Sequence, residues 1–154
     1  MLEPLHDQDL QSWIESTIQH LKNRQFEALD IEYLIEELHD LGKSEKNALT
    51  SNLMILLAHL LKLKVQFDAP DSMKMSWYHS VIEHRQRVLN NLENTPALKS
   101  FLLEAINKAY SQGRKLAIKE SKFAAFGVRI ADESEYPDIC PFSVEQILDE
   151  DFYS

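Results

Sequence analysis

Apolar residues recur at helical spacing along most of the chain, and most densely from Ser44 to Leu63. Leu41, Leu49, Leu53, Leu56, Leu57 and Leu60 fall on one wide arc of a 3.6-residue helix. The window has no Gly or Pro and is rich in Leu, a strong helix former. An arc this wide needs neighbours on more than one side, which predicts the central helix of a bundle. Glu45, Asn52 and His59 interrupt it at intervals of seven, so they stack as a polar line near Leu38, Leu56 and Leu63.

The same periodicity sets out the rest of the chain. Met1 to Asp7 reads as a short lead-in. Asp7 or Asp9 caps a first helix to about Lys22, with Leu10, Trp13, Ile14, Thr17, Ile18 and Leu21 on one face and Trp13 in the core. Asn23 to Leu29 is a turn with Phe26 and Leu29 packing beneath it. Asp30 caps a second helix from Ile31 to about Val65. Gly42 lies inside that helix at a cost of about 1 kcal/mol against Ala, which leaves open a kink or break at Leu41–Ser44, where Ser44 and Glu45 could restart the helix.

Gln66 to Met75 reads as a loop, with Ser72 or Ser76 capping the next helix. This third helix, about Lys74 to Glu93, carries the stripe Trp77, Val81, Val88 and Leu92. Arg85 falls within that stripe and therefore needs a partner or a path to water. Thr95 and Pro96 open a fourth helix to about Phe123. Its small residues Ala105, Ala109 and Gly113 recur by four, and antiparallel counting sets Gly113 level with Trp77, so the indole is expected over the glycine. Ala124 to Asp138 is irregular, Ile139–Phe142 is an apolar clip, and Ser143 caps a last short helix, Val144 to Leu148. The expected architecture is all-α: an up-and-down four-helix bundle over residues 1–123, with an irregular acidic C-terminal segment, 124–154, packing on it as part of one domain.

Composition narrows the function classes. The chain has 154 residues, 44% of them hydrophobic and 27% charged, which suits a globular domain with a sizeable core. The start lacks the basic and apolar regions of a signal peptide, and the longest apolar run, Leu53–Leu61, is too short to span a membrane and carries His59. Cys140 is the single cysteine, so neither a disulfide framework nor a cysteine-rich metal site is available. A cytoplasmic location is the expectation. The net charge is −9, but residues 132–154 hold eight acids and no Lys or Arg. The remainder, seventeen acids against sixteen bases, is nearly neutral. An acidic segment of this kind opposes nucleic-acid binding, which needs a basic surface. It reads either as a solubilising tail or as a docking segment for a basic partner.

Two constellations are candidates for chemistry. Glu36 and His39 form one Glu-x-x-His pair, the spacing used in di-iron bundles, but no second pair is present. His59, His79 and His84 with a carboxylate are the remaining metal possibility. No metal and no other cofactor is expected. The second constellation is the polar line Glu45, Asn52 and His59, with Arg85 across the interface. Such a network more often fixes register than performs chemistry. A polar pocket around His59, Trp77 and Arg85, with His59 titrating near neutral pH, is the functional alternative. No phosphate loop, nucleophile elbow or dinucleotide fingerprint occurs. Cys140 has no basic neighbour in sequence and reads as a packed, unreactive thiol.

Several ordered segments resemble the domain-of-unknown-function 29 family of bacterial, largely cyanobacterial proteins. They are Leu34-Ile35-Glu36-Glu37 with Leu41-Gly42-Lys43-Ser44-Glu45, then Leu56-Leu57-Ala58-His59-Leu60-Leu61-Lys62. Ser76-Trp77 followed by Arg85 is similar to the family's third-helix pattern. So is the ending Tyr136-Pro137, Cys140-Pro141-Phe142 and Glu145-Gln146-Ile147-Leu148-Asp149. Tyr78 stands where the family usually has Arg, and His84 where it usually has Gln. The resemblance implies a compact helical bundle and no assigned activity. It marks Glu37, Gly42, Ser44, Glu45, His59, Trp77 and Arg85 as motif positions. The candidate polar site is therefore Glu37, Glu45, Asn52, His59, Trp77 and Arg85. The leading expectation is a non-catalytic protein-interaction module with an unidentified protein partner, with pairing of two copies also open. A small ligand- or metal-binding bundle or enzyme is the alternative.

Overall fold

The computed structural model describes residues 4–123 and 129–154. The first residues of the expected lead-in and of the expected irregular stretch lie outside them. Among the described residues all regular structure is helical: α1 (Leu5–Gln8), α2 (Leu10–Lys22), α3 (Ile31–Val65), α4 (Asp71–Asn94), α5 (Leu102–Ser121) and α6 (Val144–Leu148), with short 3-10 turns at Phe26–Ala28, Pro96–Phe101 and Glu133–Glu135. The chain divides into two compact units, Met1–Gly42 and Lys43–Ser154, with the boundary inside α3.

In the first unit Asp9 is the cap of α2 and accepts the Ser12 N–H at 3.2 Å. Asp30 likewise accepts the Tyr33 N–H at 3.1 Å and opens α3. Trp13 and Thr17 are the buried residues of α2. Tyr33 meets the Trp13 ring edge-on at 4.8 Å, and His6 stacks on Tyr33 at 3.5 Å. Phe26 is exposed rather than packed beneath the turn. Leu38 and Leu41 are also outside the core, at 60% and 61% exposure, so the apolar arc of α3 is not covered along its whole length. The physical reason is scale: a one-turn helix and a 13-residue helix offer too little surface to cover α3.

The second unit holds the main core. Leu49, Leu53, Leu56, Leu57, Leu60 and Leu61 of α3 are fully buried with Val81 and Val88 of α4 and Ala105 and Ala109 of α5. α3 runs as one helix, Ile31–Val65, through Gly42. A Cβ at Gly42 would meet nothing within 4 Å, so the glycine serves no close approach and its propensity cost is too small to stop the helix. α4 begins at Asp71, earlier than expected, because Pro70 (φ −58) presets the entry; Ser72 and Ser76 lie inside the helix and do not cap it. Beyond Thr95 the chain first makes the 3-10 turn Pro96–Phe101, and α5 starts only at Leu102 and ends at Ser121.

The small-residue line of α5 faces α3. A Cβ on Gly113 would lie 2.8 Å from the Met54 carbonyl oxygen and 3.3 Å from the Ala58 nitrogen. The expected Trp77–Gly113 contact is therefore replaced: counting along an antiparallel pair gives the level of a residue but not the side of the helix it occupies. The Trp77 ring lies instead 5.8 Å from the Lys62 Nζ. By length and composition alone α3 is apolar enough to cross a bilayer, yet 61% of its apolar window is buried within the fold, the pattern of a core helix.

Candidate functional site

The residues expected as one polar site bond elsewhere than to one another. Glu37 belongs to the first unit, where hydrogen bonding to it pushes the Tyr33 phenol up to about 12. Glu45 accepts from the Thr95 hydroxyl at 3.5 Å, and the Asn52 amide donates to Asn91 at 3.2 Å. These two contacts tie α3 to α4 and to the turn after it. The His59 ring bonds the Ile55 carbonyl of its own helix at 2.8 Å. Trp77 packs at Lys62. Among the described residues no hydrogen bond or ion pair joins any two of Glu37, Glu45, Asn52, His59, Trp77 and Arg85.

Arg85 is 2% exposed and has no carboxylate partner among the described residues. Its Nε donates to the Ile147 carbonyl at 2.8 Å and its Nη2 to the Gln146 carbonyl at 3.5 Å, while Nη1 is buried without an acceptor. Burial holds its pKa below the ordinary arginine value, opposed by Tyr153, Asp149 and Glu150. The charge inside the α4 stripe thus anchors the C-terminal segment at α6. The motif arginine and the motif Gln146-Ile147, far apart in sequence, are one structural unit.

Two more arginines hold the same segment, and no local pattern in the sequence singles them out. Arg114 of α5 donates to the Tyr136 and Pro137 carbonyls and pairs with Asp138 at 3.2 Å. Arg129 pairs with Glu135 at 2.8 Å and Asp68 at 3.0 Å. Those contacts hold the Arg129 guanidinium above its ordinary value and the Asp68 carboxyl below its own. The Tyr110 hydroxyl donates to the Pro137 carbonyl. Tyr136, Phe142 and Ile147 are buried in the core, and Ser143 with Gln146 forms a capping box on α6. The acidic segment is a strap held to the core; of its carboxylates Glu135 and Asp138 pair with these arginines, and the others are exposed.

The polar line continues one heptad step beyond His59, to Gln66. The interval of seven, carried on past the Leu-rich window that closes at Leu63, identifies this residue. Gln66 is 2% exposed; its Nε2 donates to the Tyr136 hydroxyl at 3.0 Å and its Oε1 has no partner. It borders a crevice of about 300 Å³ with Lys62, Met73, Trp77, Glu120 and Phe123. Lys62 is 4% exposed and pairs with the half-exposed Glu120.

His59 neighbours this cluster. Burial lowers its pKa from the ordinary value, and Lys62 and His84 lower it further against the opposing Ile55 carbonyl and Glu120. A histidine with a depressed folded pKa is protonated more readily when unfolded, so its neutral form stabilises the fold above about pH 6.5 and that contribution falls as the pH drops below this value. Urea melts at pH 8 and pH 5.5 are expected to show a loss of midpoint at low pH that is smaller in His59→Gln. An unchanged pH dependence in His59→Gln removes His59 from the account.

Glu36 and His39 are exposed on α3, and among the described residues no group of three His, Cys, Asp or Glu is placed to hold a metal ion. Cys140 is half-buried and its thiol donates to the Phe142 carbonyl at 3.5 Å; burial pushes its pKa up. No curated protein and no solved structure matches the chain. The family model described as "Domain of unknown function DUF29" matches residues 5–153, nearly the whole length, and it takes in both Trp77–Arg85 and the strap that Arg85 holds. The chain belongs to that family.

Proposed function

We propose that this chain is a non-catalytic protein-interaction module of the cytoplasm. The observation that carries the reading is the apolar surface of the first unit. Leu5, Leu10, Ile18, Leu21, Phe26, Ile31, Ile35, Leu38 and Leu41 are all exposed there, while in α2 only Trp13 and Thr17 are buried. Scattered exposed leucines are ordinary, but nine large apolar side chains exposed within about forty residues support reading this unit as an interaction surface. In α3, Ile31, Ile35 and Leu38 recur at i, i+4 and i+7, one face of a helix.

The strap adds a second face. Glu145, Asp149, Glu150 and Asp151 are exposed around α6 on a backbone that Arg85 fixes, which suits docking of a basic partner. In the same reading α2, α3, α4 and α5 are the long helices of the up-and-down four-helix bundle. The partner is a protein, with a second copy of the chain as one form of it; neither nucleic acid nor membrane enters.

The test compares capture from native lysate by the full chain, by Ile35→Glu/Leu38→Glu, and by Glu145→Gln/Asp149→Asn/Glu150→Gln, with sedimentation of each pure protein. The expected result is loss of the captured partner, or of self-association, in the apolar double variant. Retention by that variant with loss in the charge-neutralised one assigns the docking to the strap. Identical behaviour of all three proteins contradicts the interaction reading.

A further inference from the structure

We infer that the crevice at Lys62 and Gln66 is a binding site for a small organic carboxylate with a flat apolar body. Two independent features point there. Lysine is almost never buried, yet Lys62 sits at 4% exposure within the Leu-rich half of α3. Beside it, Gln66 is 2% exposed and its amide Oε1 has no partner. A buried, unpartnered amide atom costs about 1–3 kcal/mol, and native folds keep few of them. Both residues border the same crevice of about 300 Å³.

The walls define the ligand. Met73, Trp77 and Phe123 supply apolar and aromatic surface, and Lys62 and Gln66 supply the polar end. Apolar walls with a few convergent polar groups are the ordinary make-up of a small-molecule site. The Trp77 indole borders the same crevice with the Lys62 ammonium over its ring at 5.8 Å from the centroid, so the apolar body of the ligand lies beside the positive charge.

Glu120 is the internal competitor. Its carboxylate pairs with Lys62 while its side chain is 43% exposed, so it can leave for water when another carboxylate takes the ammonium. Gln66 can serve the same anion. Its amide bonds the Tyr136 hydroxyl, which both donates and accepts. With the amide turned over, the Tyr136 O–H donates to the Gln66 carbonyl and an N–H group takes the covered position where Oε1 has no partner.

The test is isothermal titration of the full chain with benzoate, benzamide and inorganic phosphate as probes. Saturable benzoate binding is expected, about tenfold or more tighter than benzamide, because a charge-assisted bond to Lys62 is lost in the neutral analogue. Glu120→Gln removes the competitor and is expected to tighten benzoate binding. A purely structural Lys62–Glu120 pair would not give that gain. Lys62→Met is expected to abolish the preference for benzoate, with its fold checked by circular dichroism. Equal binding of benzoate and benzamide, no saturable binding of benzoate, or weaker binding in Glu120→Gln overturns the inference. Binding of phosphate without benzoate overturns the apolar-bodied ligand.

Discussion

A chain ending at Asp132 is expected to lose cooperative folding of its second unit. The deletion removes Tyr136, Phe142 and Ile147, all buried in the core, and the acceptors on which Arg85 depends. Burying side chains of this size contributes roughly 1.5–3 kcal/mol each, so the three together account for roughly 5–9 kcal/mol. The buried guanidinium would then face the core with no acceptor, a further cost of several kcal/mol. A whole domain of this size has only about 5–15 kcal/mol of net stability. Urea denaturation followed by circular dichroism is expected to show a broad, non-cooperative transition, or none, for the truncated chain. A sharp transition at the full-length midpoint would mean that the strap contributes little to the core. For the same reason the docking role of the acidic segment is tested by neutralising its exposed acids and not by deleting it.

Gly113→Ala is expected to destabilise the protein by about 2 kcal/mol, although alanine is the better helix former. The new methyl would sit 2.8 Å from a backbone oxygen of α3 and 3.3 Å from a backbone nitrogen, and neither can turn aside as a side chain could. Relief requires α5 to move away from α3, which opens the packing along Ala105 and Ala109. Overpacking of a dense core costs about 1–3 kcal/mol, and a clash with backbone stands at the upper end of that range. The helix preference for alanine, about 1 kcal/mol, offsets only part of it. Gly42→Ala is the matched control. It lies in open space inside α3, so the same substitution is expected to raise stability by about 0.5–1 kcal/mol. Opposite signs at the two glycines, read from denaturation midpoints, would establish that the α3–α5 approach depends on Gly113. A neutral Gly113→Ala would show that the two helices separate at little cost.

The differences between expectation and structure have physical causes that can be named. Helix termini are legible where a side chain does the capping: Asp9, Asp30 and Ser143 all stand where their chemistry places them. The start of α4 is not, because Pro70 sets it through φ and no side chain bonds the first turn. Spacing by seven discloses Asn52 and His59 as one face of α3, but their bonds go to Asn91 and to Ile55. Arg85 is visible as an anomaly in its stripe, and only its partner is hidden. That partner is a backbone carbonyl sixty-two residues on, and a carbonyl carries no sequence signature. Arg114 is silent in the sequence for the same reason, since a surface-like arginine becomes an anchor only when a strap lies across it, and Arg129, itself in that segment, anchors it to Asp68 and the Val65 carbonyl.

The sequence by itself determined the helical class, the ends of α2, α3 and α6 and the Leu-rich core of α3, because periodicity and capping are local properties. The tertiary structure alone decided three things. It gave Gly113 to α3, turned the acidic segment into a strap held by Arg85, and brought Lys62, Gln66 and Trp77 to one crevice. Each of these depends on which side of a helix meets which neighbour, and that is fixed only when separate stretches of the chain compete for the same buried volume.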